Sequence, residues 1–341
     1  MSWLSDDDDE LDPYADYEVR ERPNPKANRP RTKTRPGHED AVTGRVLSVD
    51  RGRYPTLLDE GTLDERTVSA TRARELRTES IVTGDRVDVV GDTSGAEGTL
   101  ARIVRIQPRT TILRRSADDS DEVERIIVAN ADQLLIVVAV ADPEPRPRLV
   151  DRYLVAAYDA GIVPILCLTK TDLADPAPFL ENFAGLDLEV VTSRHDRFPL
   201  ERLRELISGT TTVAVGHSGV GKSTLVNALV PEANRATGVV NVVTGRGRHT
   251  SSSTQSYRVG DGWIIDTPGI RSFGLGHVDT DGLVDAFRDL AVIAEDCPRG
   301  CTHLPDAPDC ALVERVEKAG ELGEVGRQRL DSLQRLLGSL T

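Results

Sequence analysis

The sequence predicts a multidomain protein of mixed α+β and α/β class, and three observations carry that prediction. Short β-branched runs broken by Gly and Asp crowd residues 41–106, and from 125 to about 275 longer, wholly apolar runs alternate with helical patterns. Near the C-terminus three cysteines and one histidine fall within fourteen residues, followed by apolar positions at helical spacing. In turn these read as a small barrel, a parallel sheet covered on both faces, and a metal-stapled helical module.

Composition sets the bounds. At 341 residues the chain is long for one core, so two or three domains are expected. Hydrophobic residues at 38% and charged residues at 29% give enough apolar mass to fold without staples. The longest apolar run, Leu134–Ala141, is far short of the ~18 residues that span a bilayer. The start, Met1-Ser-Trp-Leu followed by Asp6-Asp-Asp-Asp-Glu10, has neither the basic flank nor the apolar core of a secretory signal, so a cytoplasmic location is expected.

The net charge of -14 is unevenly spread: residues 1–19 carry -8, and residues 20–36, from Arg20 to Pro36, carry +6 between four prolines. Such a segment cannot bury enough surface to fold alone, so residues 1–38 are expected to be a disordered acidic and basic tail. Two readings stand: a solvated leader, or a basic arm for a polyphosphate backbone with the acidic block as its intramolecular competitor.

Residues 39–115 are expected to form an OB-type β-barrel. Its strands are read at Val42–Val49, Thr67–Ala70, Ile81–Val82, Arg86–Val90 and Gly98–Ile106. Thirteen Arg stand against eleven acids over 41–115, and Tyr54 is the one aromatic offered for base stacking. Backbone-type RNA contact is therefore favoured over stacking, with a structural or protein-docking barrel as the alternative. Pro108–Arg115 and the acidic Asp118–Glu122 read as a linker.

Residues 116–280 are expected to form the α/β domain. Strands are read at Gln133–Val140, Ile162–Leu168, Leu188–Thr192, Thr211–Val215 and Trp263–Ile265, with helices near Leu149–Ala160, Pro178–Phe183, Leu200–Ile207 and Lys222–Val230. Cys167, inside a strand, is a small buried hydrophobe. After the fourth strand the residues Gly216, His217, Ser218, Gly219, Val220, Gly221, Lys222, Ser223 and Thr224 fit the phosphate loop G-x-x-x-x-G-K-[ST]. Its backbone N–H groups and helix dipole face phosphate oxygens, Lys222 brings a full charge to the transferring phosphate, and Ser223 ligates Mg²⁺. Asp266-Thr-Pro-Gly269 follows an apolar strand, where the acid holds Mg²⁺ through water and a glycine N–H meets the γ-phosphate. Thr169, Lys170, Thr171 and Asp172 close the strand Ile162–Leu168. An Asp there accepts from guanine N1–H and its exocyclic amine, which adenine cannot match.

The order of these loops is the main clue. The guanine-reading loop and a Thr192-Ser193 loop that could abut the base precede the phosphate loop, the reverse of an ordinary GTPase. A circularly permuted P-loop GTPase domain is therefore expected, which chain topology allows where the old termini lay close together. Its switch loops near 245–275 then run straight into the C-terminal segment.

In that segment, 281–341, Cys297, Cys301, His303 and Cys310 suit a closed tetrahedral Cys₃His zinc site with a structural role. Disulfides and unliganded thiols are the alternatives. The apolar positions of Ala311–Leu340 predict helix packed on the zinc module, making this a zinc-binding α-helical domain.

Taken together, these residues resemble the RsgA or YjeQ family of small-ribosomal-subunit-dependent GTPases over about residues 40–341. The resemblance rests on the barrel, G-x-S-G-V-G-K-S-T and D-T-P-G in permuted order, a switch segment similar to G-R-H-T-T-T, and the Cys/Cys/His/Cys module. It implies hydrolysis of GTP to GDP and phosphate, stimulated by the small (30S) subunit late in its maturation. It also implies a barrel and a zinc module that grip 16S rRNA, and the implied protein is a monomer with Mg²⁺ and one structural Zn²⁺. Several features depart from the family. Thr169 replaces the Asn of N-K-x-D, which removes a side-chain amide and weakens affinity while Asp172 keeps guanine choice. The first two cysteines enclose three residues instead of four. Gly247–Ser252 has serines where threonines are the rule, and residues 1–38 have no counterpart.

Ile270 follows Gly269 where Ras-like enzymes carry the Gln that orients water. An alkyl group cannot do that, so His249, beside the Mg²⁺-sensing hydroxyl of Thr250, is the expected catalytic residue once a partner orders the loop. Two other classes stay open on the residues alone: a nucleotide-gated RNA-binding or scaffold protein with incidental hydrolysis, and an ATPase.

Overall fold

The computed structural model describes residues 38–76, 78–116, 124–231, 233, 254–269, 273–278 and 280–340. The acidic and basic tail thus lies outside the described residues, as do His249, Thr250, Ile270 and the segment Gly247–Ser252.

Five strands, Val42–Val46 (β1), Arg53–Leu58 (β2), Arg66–Arg72 (β3), Arg86–Gly91 (β4) and Ala101–Ile106 (β5), close into a barrel in the order β1-β2-β3-β5-β4. Alternate residues point inward, so Val46, Leu58, Val68, Ala70, Val87, Val89 and Ile103 fill the interior. Two sequence expectations change here. Ile81–Val82 is not a strand, and the fifth is β2, hidden by Pro55; that proline lacks an N–H, yet its carbonyl still accepts from Leu47 at 2.8 Å. Tyr54 is 6% exposed within the barrel core, so it is not offered for base stacking.

The expected linker Pro108–Arg115 ends in a strand instead, and the acidic Asp118–Glu122 lies outside the described residues. Ile112–Ser116 (β6) and Glu124–Ala129 (β7) pair antiparallel, and Leu113 and Val128 drop into the main core of the neighbouring sheet. That sheet has six strands, Gln133–Ala139 (β8), Val163–Thr169 (β9), Glu189–Thr192 (β10), Thr211–Val215 (β11), Gln255–Val259 (β12) and Gly262–Asp266 (β13), in the order β10-β9-β8-β11-β13-β12. All neighbours are parallel except β12 and β13, which form a hairpin.

Both sheet faces are buried, which is why the strands read as unbroken apolar runs. Leu134, Ile136, Val138, Val213 and Val215 meet the helix Pro147–Asp159 through Val150, Tyr153 and Leu154. On the other face Leu135, Val137, Ala139 and Ala214 meet the helices Leu200–Ile207 and Lys222–Leu229. The C-terminal helices do more than cover the cysteine-rich loop. Leu312 and Val316 of a π-helical stretch, Leu312–Lys318, and Leu330, Leu333, Leu336 and Leu337 of the helix Gly323–Gly338 belong to the first of these two cores. No helix among the described residues is long and apolar enough to cross a membrane.

Candidate active site and metal centre

Because β9, β11 and β13 run parallel, the loops at their carboxyl ends emerge on one edge of the sheet, where ligands of open α/β sheets bind. These are the loops the sequence singled out. They surround a cavity of about 560 Å³ lined by Thr169, Lys170, Gly216, His217, Ser218, Gly219, Gly221, Lys222, Ser223, Thr224 and Gly269. The size is that of a small-molecule site. Gly219 and Gly221 take φ of +85° and +89°, conformations that a side chain would strain, and they turn the loop from β11 into the helix Lys222–Leu229.

The remaining candidates brace the cavity. Lys222, 8% exposed, is ion-paired with Asp266 at the end of β13. Val220 is buried, and its carbonyl accepts a 2.6 Å hydrogen bond from the Thr169 hydroxyl. Thr171 donates both its N–H and its hydroxyl to the Ser193 carbonyl at 3.2 Å, which joins the loops after β9 and β10. Asp172 Oδ1 accepts from the His195 N–H at 3.0 Å, and that bond holds its carboxyl below the usual range. Lys170 donates to the Asp142 carbonyl. Sequence reading missed Arg194, His195 and Phe198, which line the same cavity beside Ser193; their one signal was position, directly after β10.

At the C-terminal end, the ligand atoms of Cys297, Cys301, His303 and Cys310 all lie within 4.8 Å of one another. Cys297 and Cys310 sulfurs are 3.9 Å apart, and Cys310 Sγ is 3.8 Å from His303 Nδ1. Ligands at about 2.3 Å around a tetrahedral ion stand about 3.8 Å apart, so the cluster is compatible with a zinc site. Backbone N–H groups of Ala311 and His303 point at Cys297 and Cys301 sulfurs, 3.3 and 3.4 Å away. Burial holds His303 toward its neutral, metal-binding form and pushes the Cys310 thiol up to about 12.

The profile of the RsgA GTPase family matches residues 106–276, which include every loop around this cavity. The chain belongs to that family. It is accordingly a GTP hydrolase, and family membership implies Mg²⁺ with the nucleotide. Curated relatives include the small ribosomal subunit biogenesis GTPase RsgA of Pseudomonas putida, 38% identical over 274 residues covering 76% of this chain and 75% of the relative. The protein of that name from Chlorobaculum tepidum is 35% identical over 315 residues, covering 89% and 99%. Among solved structures, YloQ, described as a circularly permuted GTPase, superposes with a TM-score of 0.61 at 25% identity over 88% of this chain and 96% of its own. YjeQ from Thermotoga maritima, at 24% identity, shares the fold with a TM-score of 0.62 over 88% and 98%. The multidomain architecture, barrel and permuted α/β domain included, is therefore that of the family.

Proposed function

We propose that this GTPase acts in late maturation of the small ribosomal subunit and that the subunit stimulates its turnover. What carries the reading is the convergence of the guanine-type, phosphate-type and D-T-P-G loops on one cavity, in the permuted order, in a chain whose relatives bear the name small ribosomal subunit biogenesis GTPase. In this reading Asp172 selects guanine beside Thr169, Lys170 and Thr171. Gly216 to Thr224 cradle the phosphates, and Lys222 neutralises charge that develops on the γ-phosphoryl oxygens. Mg²⁺ is held by Ser223 and Thr250, with Asp266 acting through water, and the Gly269 N–H meets the γ-phosphate. His249 positions the attacking water once the subunit orders its loop.

The remaining assignments follow the same reading. One Zn²⁺ sits on Cys297, Cys301, His303 and Cys310, all four positions filled by protein, so its role is structural. The tail spans 1–38, the barrel 39–115, the GTPase domain 116–280 and the zinc-binding helical domain 281–341; the protein works in the cytoplasm as a monomer. Its barrel and zinc module contact 16S rRNA. Supporting the barrel contact, exposed Arg53 and Arg102 flank Thr71 in register across β2, β3 and β5, a row suited to phosphates.

Phosphate release from GTP, measured with and without purified small subunits, tests the proposal. Slow turnover alone, a rise of at least about tenfold with subunits, and loss of that rise in His249→Ala are expected. Turnover indifferent to subunits would make hydrolysis incidental to binding, and an unimpaired His249→Ala would return the catalytic assignment to another residue.

A further inference from the structure

The barrel grips the nucleotide domain at the roots of the two strands that end in its catalytic loops. Glu60, between β2 and β3, accepts from the Trp263 indole N–H at 2.6 Å through one carboxylate oxygen. Its other oxygen accepts from Arg86 at 2.6 Å and Arg45 at 3.3 Å. Arg45, 7% exposed, also donates to the Thr211 hydroxyl at 3.2 Å. The guanidinium groups of Arg45 and Arg258 stand over the Trp263 ring, 5.2 and 4.9 Å from its centroid. Arg258 pairs with Glu65 at the far end of the same barrel loop, at 2.6 Å.

These contacts fall on one rung of the sheet. Thr211 and Trp263 are register partners in β11 and β13, and three residues on, Ala214 faces Asp266. At about 3.3 Å per residue, Trp263 therefore stands about 10 Å upstream of the acid at the head of the D-T-P-G loop. The neighbouring Gly262 lies so close to the Ile207 carbonyl that a Cβ would sit 1.9 Å from it. The root of β13 is thus held between a helix end on one side and the barrel on the other. A strand paired on both edges transmits such a restraint along its length, and a partly buried ion node is screened little by salt.

We propose that Glu60 is a positioning residue for GTP hydrolysis, fixing through Trp263 and Arg45 the axial placement of the strands that deliver Asp266 and the phosphate loop. The coupling runs both ways, so nucleotide state is also felt at Trp263. The proposal rests on the assignment of Asp266 and Lys222 to the nucleotide site, and Lys222→Ala tests that assignment separately: hydrolysis that persists there breaks the site reading whatever Glu60 does.

The decisive experiment uses the full chain with Trp3→Phe, which leaves Trp263 as the single tryptophan of the two in the sequence. Measured are kcat and KM for GTP with Mg²⁺, and tryptophan emission with GDP and with a non-hydrolysable GTP analogue. Glu60→Ala is expected to lower kcat by on the order of tenfold with KM within about twofold, since small misplacements of catalytic groups cost rates of this size. The emission difference between the two nucleotides shrinks with it, and Glu60→Gln, which keeps an acceptor for the indole, recovers most of both. A folded Glu60→Ala with parental kcat or a parental emission difference overturns the proposal. Should Glu60→Ala not fold, Trp263→Phe decides on kcat, because it keeps an aromatic ring beside the guanidinium groups and deletes the N–H: a comparable fall sustains the proposal and a parental value overturns it.

Discussion

Thr169 stands where the resemblance expects an asparagine, and its hydroxyl hydrogen-bonds into the neighbouring glycine-rich loop. A hydroxyl has one proton to give. Of the two carbonyls in reach, Val220 at 2.6 Å is better placed than Val138 at 3.3 Å, so the bond goes to the phosphate loop. The loop Thr169–Asp172 and the loop Gly216–Thr224 are therefore tied, although the second arm of a carboxamide is missing. Thr169→Val keeps the shape and removes the bond. With a typical hydrogen bond worth about 1 kcal/mol, GDP affinity should fall about fivefold in a fluorescent-nucleotide titration. An unchanged affinity would mean that the tie does not reach the nucleotide.

At the scale of elements, the sequence missed what lies between the domains. β6 reads as a linker because Arg114, Arg115 and the acids after them obscure Leu113, which the structure buries with its partner Val128 on β7. The expected strand Ile81–Val82 is a docking turn instead: Thr83 bridges Val128, donates its hydroxyl to the Thr254 carbonyl at 3.2 Å, and lies 1% exposed. Beside it the Ser256 N–H donates to the Leu47 carbonyl at 2.8 Å, so β12 is engaged along its outer edge by the barrel. Gly84 makes this fit possible, with φ +90° and a Cβ position 2.1 Å from the Ala129 carbonyl. Gly84→Ala is expected to destabilise the protein by more than about 2 kcal/mol, from strain and overlap together. Thermal melting of the two proteins checks this, and equal midpoints would show that the turn can give way.

For the whole molecule, the shared core makes the cysteine-rich loop more than an appendage. Cys297 and Cys301 pack against the same cluster that holds Leu154 of the sheet-covering helix and Leu333 and Leu336 of the last helix, and Gln334 reaches the His303 carbonyl at 3.2 Å. Stripping the metal with a strong chelator should therefore lower the melting midpoint by on the order of 10 °C, because structural zinc contributes folding energy outright. A metal-free chain with an unchanged midpoint would place the cysteines outside any structural role. By itself the sequence determined the barrel and sheet classes, the three loops that meet at the cavity and their order along the chain, and the four-residue cysteine and histidine set. Those features are written locally, in strand periodicity, turn chemistry and motif spacing. Only the tertiary structure decided that Tyr54 is core, that Arg194, His195 and Phe198 join the cavity, that Leu113 pairs across a hairpin with Val128 in the sheet's core, and that Glu60 and Arg45 meet Trp263 and Thr211. Such contacts join residues up to 203 positions apart, and they depend on how the barrel docks against the sheet, which no local pattern encodes.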